Sequence, residues 1–130
     1  KIAMNELTIS THVLDLALGH PAKDIVISLE KKSNCTWTCL KKAKTNIDGR
    51  IVFQIPAKTG TYRLDFKTKN YLKKTRKECF FVQTPVVFEI QNLSRKYHIP
   101  LLLSHLDTAL TEAVKLNALL QLLYFRTPQT

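Results

Sequence analysis

Thr61-Tyr62-Arg63-Leu64-Asp65-Phe66-Lys67 carries an apolar side chain at every second position, with polar side chains between them. Successive side chains of a β-strand point to opposite faces of its sheet, so this alternation is typical of a strand with one buried face. A turn from Pro56 to Gly60 precedes it. The segment therefore predicts a half-buried strand.

Further strand-like segments flank this one at short intervals. They are rich in β-branched and aromatic residues and end at turn residues such as Gly19 or the pair Asp48-Gly49. Only residues 68–77 suggest a short surface helix, of one or two turns. This pattern predicts an all-β fold, a two-sheet antiparallel sandwich with one short helix. The predicted strands cover residues 8–18, 25–30, 36–40, 51–53, 61–67, 85–90 and 96–103.

Length and composition indicate one soluble domain with an anionic partner. The chain has 130 residues, 45% of them hydrophobic and 23% charged, and a formal net charge of +10. No apolar run reaches the roughly 18 residues of a membrane-spanning helix, so we expect no membrane partner. Residues 68–77 hold five basic side chains, but charge runs are most often solvated faces. We therefore expect no nucleic-acid partner. A basic nucleic-acid-binding module is the lowest-ranked of three alternative functions.

Three cysteines, Cys35, Cys39 and Cys79, are an odd number for a disulfide framework, and no histidine lies at zinc spacing from the first two. We expect reduced thiols and no metal. Cys35 and Cys39 flank Trp37 at even spacing, which predicts packing on one face of a strand. The chain begins at Lys1, so we expect the true N-terminus to be missing or processed, and we expect a cytoplasmic or peroxisomal location.

Three residues offer catalytic chemistry. His12 lies in a strand of otherwise core-like positions, Arg50 follows the Asp48-Gly49 turn, and His98 precedes a run of leucines. Two imidazoles and a guanidinium in one pocket can move protons near neutral pH and neutralise an anionic substrate. Each residue also fits an ordinary role, as a hydrogen-bonded histidine in a strand or a solvated arginine after a turn.

Several motifs occur in the order found in one family. The chain reads Ser10-Thr11-His12-Val13-Leu14-Asp15, then Asp48-Gly49-Arg50, Gly60-Thr61-Tyr62 and Tyr97-His98-Ile99-Pro100-Leu101-Leu102-Leu103-Ser104. Over residues 8–104 the sequence resembles the transthyretin-like 5-hydroxyisourate hydrolases. The hormone-carrying transthyretins resemble this family in fold, but they do not keep this set of histidine, arginine and histidine.

The resemblance implies ring-opening hydrolysis of a cyclic amide in 5-hydroxyisourate, the product of urate oxidation, with no metal or other cofactor. His12, Arg50 and His98 would be the catalytic and substrate-binding residues. One histidine would activate a water and the other would deliver a proton, while Arg50 would hold the purine carbonyls. Which histidine is the base stays open. The family forms homotetramers with active sites between subunits. The alternative is a transthyretin-like protein that binds a small ligand or hormone without catalysis.

Residues 105–130 depart from the family. Its members end in a strand that reads Pro-Phe-Gly-Tyr-Ser-Thr-Tyr-Arg-Gly-Ser, whereas this chain has leucines at three- and four-residue steps, typical of an amphipathic helix. That ending can be written with the codons CCA TTT GGA TAC AGC ACT TAC AGA GGC AGT. Read without their first base and on into a TAA stop, these triplets give the amino acids at residues 105–114 of this chain. We therefore expect residues 1–104 to be a transthyretin-like domain without its last strand, and residues 105–130 to be an out-of-frame tail.

The tail has consequences for function. The lost strand would contribute a tyrosine and a serine to the pocket and an edge to the subunit interface. This change predicts weak or absent hydrolase activity and poor tetramer formation. Residues 1–104 hold all of the +10, which we assign to an anionic purine substrate and a solvated surface.

The frameshift makes a prediction about the transcript. We expect that one inserted base near codon 105 restores the ending Tyr-Arg-Gly-Ser followed by a stop. Sequencing the transcript across codons 104 to 115 checks this. A sequence that no single insertion restores to that ending contradicts the frameshift.

Overall fold

The computed structural model describes residues 5–75 and 83–104, which form eight strands and one helix. The predicted sandwich with one short helix is confirmed. The predicted helical tail and Cys79 lie outside the described residues. The elements are β1 (Glu6–Asp15), β2 (His20–Pro21), β3 (Val26–Ser33), β4 (Thr36–Lys44), β5 (Arg50–Pro56), β6 (Gly60–Lys67), α1 (Lys69–Thr75), β7 (Thr84–Ile90) and β8 (Tyr97–Leu103).

The strands form two four-stranded sheets. In the first sheet, β1 lies at the centre, antiparallel to β2 and β5 and parallel to β8. In the second sheet the order is β4-β3-β6-β7, and all neighbours are antiparallel. The parallel β1–β8 pair is the one described pair that departs from the expected antiparallel arrangement. Chain-adjacent strands joined by a hairpin must be antiparallel, but β8 returns from the second sheet and can enter in either direction.

The core lies between the two sheets. Tyr62, Leu64 and Phe66 are at most 1% exposed, which confirms the alternation read in the sequence. Ile27 and Leu29 of β3 are fully buried, and β1 contributes further core residues. Burial of these alternate side chains fixes which face of each strand turns toward the core.

β1 ends earlier than the sequence predicted, because Asp15 makes a turn. Its Oδ1 accepts hydrogen bonds from the backbone N–H groups of Ala17 (3.0 Å) and Leu18 (3.1 Å). Its Oδ2 accepts a hydrogen bond of 2.7 Å from the Tyr71 hydroxyl of α1. An aspartate that binds the backbone two and three residues ahead favours a turn over a continued strand.

The two described cysteines do not pack as the sequence predicted. Cys35 lies in the turn between β3 and β4, next to Asn34 with a φ of 58°, and is exposed like Cys39. The packing prediction is wrong because the turn takes Cys35 off the strand and because β4 is an edge strand. Trp37 instead stacks against the Arg63 guanidinium, at 4.3 Å from its ring centroid.

Positive charge collects on the second sheet. Its strands hold seven basic and three acidic side chains, whereas in the strands of the first sheet Arg50 is the one lysine or arginine. Charged side chains on an edge strand such as β4 discourage pairing with another chain. Within the described residues, no helix is long and apolar enough to cross a membrane.

A tight loop positions the start of β5. Asn46 Oδ1 accepts hydrogen bonds of 2.9 Å from the backbone N–H groups of Asp48 and Arg50. Gly49 has a φ of 73°, and its carbonyl accepts a 2.8 Å hydrogen bond from the Val13 N–H. A Cβ on Gly49 would lie 2.4 Å from the Val13 carbonyl oxygen. The predicted left-handed turn is thus confirmed, and it packs directly on β1.

The Gly49→Ala variant tests this constraint. We expect a loss of about 3 kcal/mol in the free energy of unfolding, since the left-handed conformation alone costs an alanine about 1–2 kcal/mol and the backbone clash adds to it. Gly19→Ala is a matched control, because Gly19 also has a positive φ, of 77°, but nothing within 4 Å of the added Cβ. We expect that control to lose about 1 kcal/mol. Urea denaturation measures both, and equal losses would contradict the close packing on β1.

Candidate active site

The outward face of the first sheet carries the predicted site residues. Along β1, buried residues alternate with partly exposed ones, and His12 is among the latter. His12 therefore faces away from the core, unlike the buried residues on either side of it. His98 lies on the same outward face of β8, and Arg50 on that of β5. The residues on this face include Thr8, Ser10, His12 and Leu14 of β1, Arg50, Val52 and Gln54 of β5, and His98, Pro100 and Leu102 of β8.

Strand register brings His12, Arg50 and His98 together. His12 pairs directly with Arg50 across the antiparallel β1–β5 ladder. His98 pairs with Ser10 across the parallel β1–β8 ladder, one row further along the sheet. Cβ atoms of directly opposed residues lie about 4.5–5.5 Å apart. The three residues named from the sequence thus occupy two adjacent rows.

A buried hydrogen bond holds this register. The Thr11 hydroxyl, on the inward face of β1, donates to the Ile99 carbonyl of β8 at 2.5 Å. Thr11 and Ile99 are paired in the ladder and are 1% and 8% exposed. A slip of β8 by one residue would break this bond and turn His98 toward the core.

The electrostatics favour neutral imidazoles. Burial lowers the pKa of His98, and the positive charge of Arg50 and the neighbouring His12 lower it further. Burial and Arg50 also lower the pKa of His12. The Asp48 backbone carbonyl and carboxylate act in the opposite direction and raise the pKa of His12. The net effect is a lowered pKa for both rings, so that each is neutral near pH 7.

This arrangement supports acid–base chemistry on an anion. A neutral imidazole can accept a proton at one nitrogen and donate one from the other. Arg50 is always charged and can bind carbonyl or oxyanion groups. Arg50 and Val52 are exposed, Val52 by 61%. Within one described chain, this side of the site is therefore open to solvent.

The structure also contains a site residue that the sequence interpretation missed. Ser10 Oγ and His98 Nδ1 lie 2.8 Å apart and form a hydrogen bond. The signal available in the sequence was spacing, because a residue two before His12 on a strand shares its face. Its partner on a distant strand could not be read from spacing.

The fold and this face define a transthyretin-like β-sandwich protein. The family model described as "HIUase/Transthyretin family" matches residues 9–107, and the chain belongs to this family.

Individual relatives agree with this membership. A Salmonella dublin protein named 5-hydroxyisourate hydrolase is 39% identical over 106 residues, which cover 79% of this chain and 78% of that one. The solved Klebsiella pneumoniae 5-hydroxyisourate hydrolase has a TM-score of 0.66 and 31% identity, covering 75% of this chain and 90% of that one. Transthyretin from Sparus aurata has a TM-score of 0.69 and 28% identity, covering 74% and 87%. The fold is thus shared by a hydrolase and a transthyretin and does not decide between them.

The lowered histidine pKa values give a testable prediction for Arg50→Gln. Removing the positive charge should raise the pKa of His12 and of His98, although burial continues to lower the pKa of His98. The pH below which the rings become protonated therefore moves upward. An NMR titration of the imidazole Cε1 protons measures the change. The control Lys44→Gln removes a charge from the second sheet and should leave both histidine pKa values unchanged. If Arg50→Gln also leaves them unchanged, Arg50 does not act on the histidines.

Proposed function

We propose that the outward face of the first sheet is the catalytic face of a 5-hydroxyisourate hydrolase. The observation that carries this proposal is the placement of His12, Arg50 and His98 in adjacent rows of one sheet face. The names of the curated relatives support it, since the Salmonella dublin protein and a 38% identical mouse protein are both called 5-hydroxyisourate hydrolase.

The reaction is the hydrolysis of a cyclic amide. Water adds its hydroxyl to the carbonyl carbon, the carbon–nitrogen bond breaks, and the ring nitrogen takes up a proton. One neutral histidine removes a proton from the attacking water and becomes an imidazolium. The other histidine, protonated beforehand from solvent, delivers its proton to the leaving nitrogen, and the imidazolium then returns its proton to solvent, so that both rings end neutral. Arg50 binds the carbonyl oxygens and stabilises the negative charge that grows on them in the transition state. This chemistry uses side chains alone.

The exposure of this sheet face favours a site completed by another copy of the chain. Arg50 and Val52 are exposed on this face, and β8 pairs only with β1 among the described strands. A second subunit laid over the face would exclude water and strengthen the electrostatic interactions of Arg50 with the substrate. We therefore propose a homotetramer with the sites between subunits, whose formation the altered residues after Ser104 impair.

The charge distribution bears on the expectation that the positive charge serves an anionic purine substrate. Most of the positive charge on the described strands lies on the second sheet, so little of it surrounds the proposed active site. Electrostatic steering of the substrate falls mainly to Arg50. Collection of this charge on one sheet makes nucleic-acid binding the second candidate function, with the edge strand β4 and its lysines as the surface. Two acidic residues, Glu30 and Asp65, already bind Arg63 and Lys67 there, which lowers the free charge.

The hydrolase assay follows the ultraviolet decay of freshly made 5-hydroxyisourate with and without protein. A comparison chain replaces residues 105–130 with Pro-Phe-Gly-Tyr-Ser-Thr-Tyr-Arg-Gly-Ser. We expect this restored chain to accelerate the decay and to behave as a tetramer in light scattering, whereas the unmodified chain should do neither well. Equal rates in the two chains would contradict the predicted effect of the tail.

In the restored chain, His12→Gln and His98→Gln should each lower kcat/KM by about 100-fold or more, the range that loss of general acid or base catalysis produces. His20→Gln is the matched control. His20 is exposed on β2 and hydrogen-bonded to the Pro21 carbonyl, away from the two rows. Full activity in either site variant would contradict the assignment.

DNA binding with a steep salt dependence and no hydrolysis would favour the second candidate function, nucleic-acid binding.

A further inference from the structure

We propose that Ser10 is a positioning residue that holds the His98 ring in one orientation and one tautomer. The catalytic consequence of this inference rests on the proposed function, but the orientation itself does not. The structure shows the contact directly: Ser10 Oγ lies 2.8 Å from His98 Nδ1 in a partly buried position.

The fold makes Ser10 a firm anchor. Ser10 lies on β1, the central strand of the first sheet, and pairs with Val52 on one edge and with His98 on the other. Its backbone is therefore held by ladders on both sides. A serine side chain has a single carbon–carbon torsion to its oxygen, so a fixed backbone leaves Oγ few positions. The hydroxyl reaches His98 without any loop or flexible side chain between them.

The contact assigns different tasks to the two ring nitrogens. Nδ1 is occupied by Ser10, which leaves Nε2 as the nitrogen directed to a substrate. A neutral imidazole has one N–H donor and one acceptor, so the proton on one nitrogen excludes a proton on the other. If the Ser10 hydroxyl donates to Nδ1, then Nε2 carries the proton; if Nδ1–H donates to Ser10, then Nε2 accepts one. In both cases one hydroxyl sets the role of Nε2.

His12 is controlled by another element. The Asp48 carbonyl, in the loop before β5, acts on the His12 ring, whereas Ser10 acts on His98 from β1. Separate partners allow two neighbouring imidazoles to be held in different tautomers. Each ring can then present a defined nitrogen, donor or acceptor, to a substrate.

The first experiment requires no activity. We would record two-bond ¹⁵N–¹H correlation spectra of the imidazoles in the full ¹⁵N-labelled chain above the pKa of His98, where the nitrogen shifts report the tautomer. We expect one tautomer for His98 in the unmodified chain and a mixture of both in Ser10→Ala. Ser10→Thr keeps the hydroxyl and should keep the single tautomer.

Thr8→Ala is the matched control for this measurement. Thr8 lies two residues from Ser10 on the same face of β1, but its hydroxyl donates to Gln54 Oε1 at 3.0 Å and not to a histidine. This variant should leave the His98 spectrum unchanged. The same tautomer ratio in Ser10→Ala and the unmodified chain would overturn the proposal, whether or not the protein hydrolyses 5-hydroxyisourate.

The second experiment tests the catalytic consequence in the restored chain. Misplacement of a catalytic group by about 1 Å can cost about 100-fold in rate, so we expect kcat of Ser10→Ala to fall by about 10- to 100-fold. KM should change by less than about 3-fold, because Ser10 acts through His98 and not on the substrate. Ser10→Thr should recover most of kcat. An unchanged kcat in Ser10→Ala would overturn the positioning role in catalysis.

Discussion

Pairing of β1 along both of its edges is the constraint on which the site depends. Residues 6–12 of this strand pair with β5, and residues 9–15 pair with β8. Residues 9–12 are therefore the part of β1 that pairs with both β5 and β8. The outward-facing residues among them are Ser10 and His12. Side chains from three strands can therefore meet there, with Arg50 on one side and His98 on the other.

The hydrophobic core controls this pairing although it lies on the other side of the sheet. Side chains of a strand alternate between faces, so burying Ile99 and Leu101 of β8 turns His98 outward. The Thr11 hydroxyl on the Ile99 carbonyl adds a directional bond to the same register. Any change that slips β8 by one residue would lose core packing and active-site geometry together.

The two outer faces of the sandwich have different characters. The face of the first sheet holds two imidazoles with lowered pKa values beside one guanidinium. The face of the second sheet is basic and contains its own ion pairs, Arg63 with Glu30 and Lys67 with Asp65. Net charge, a property of the whole chain, therefore says little about the proposed active site, whose electrostatics depend on burial and on nearby groups such as Arg50 and Asp48.

The amino-acid sequence by itself determined the fold class, the short helix and the three candidate residues. Period-two alternation, as in Tyr62, Leu64 and Phe66, is a local pattern and reports a half-buried strand without knowledge of its partners. Residue chemistry and motif resemblance both indicated His12, Arg50 and His98 but not their geometry. The tertiary structure decided that His12 lies opposite Arg50, that β8 runs parallel to β1, and that Ser10 binds His98. These features depend on register between strands far apart in the chain, and local pattern carries no information about such pairing.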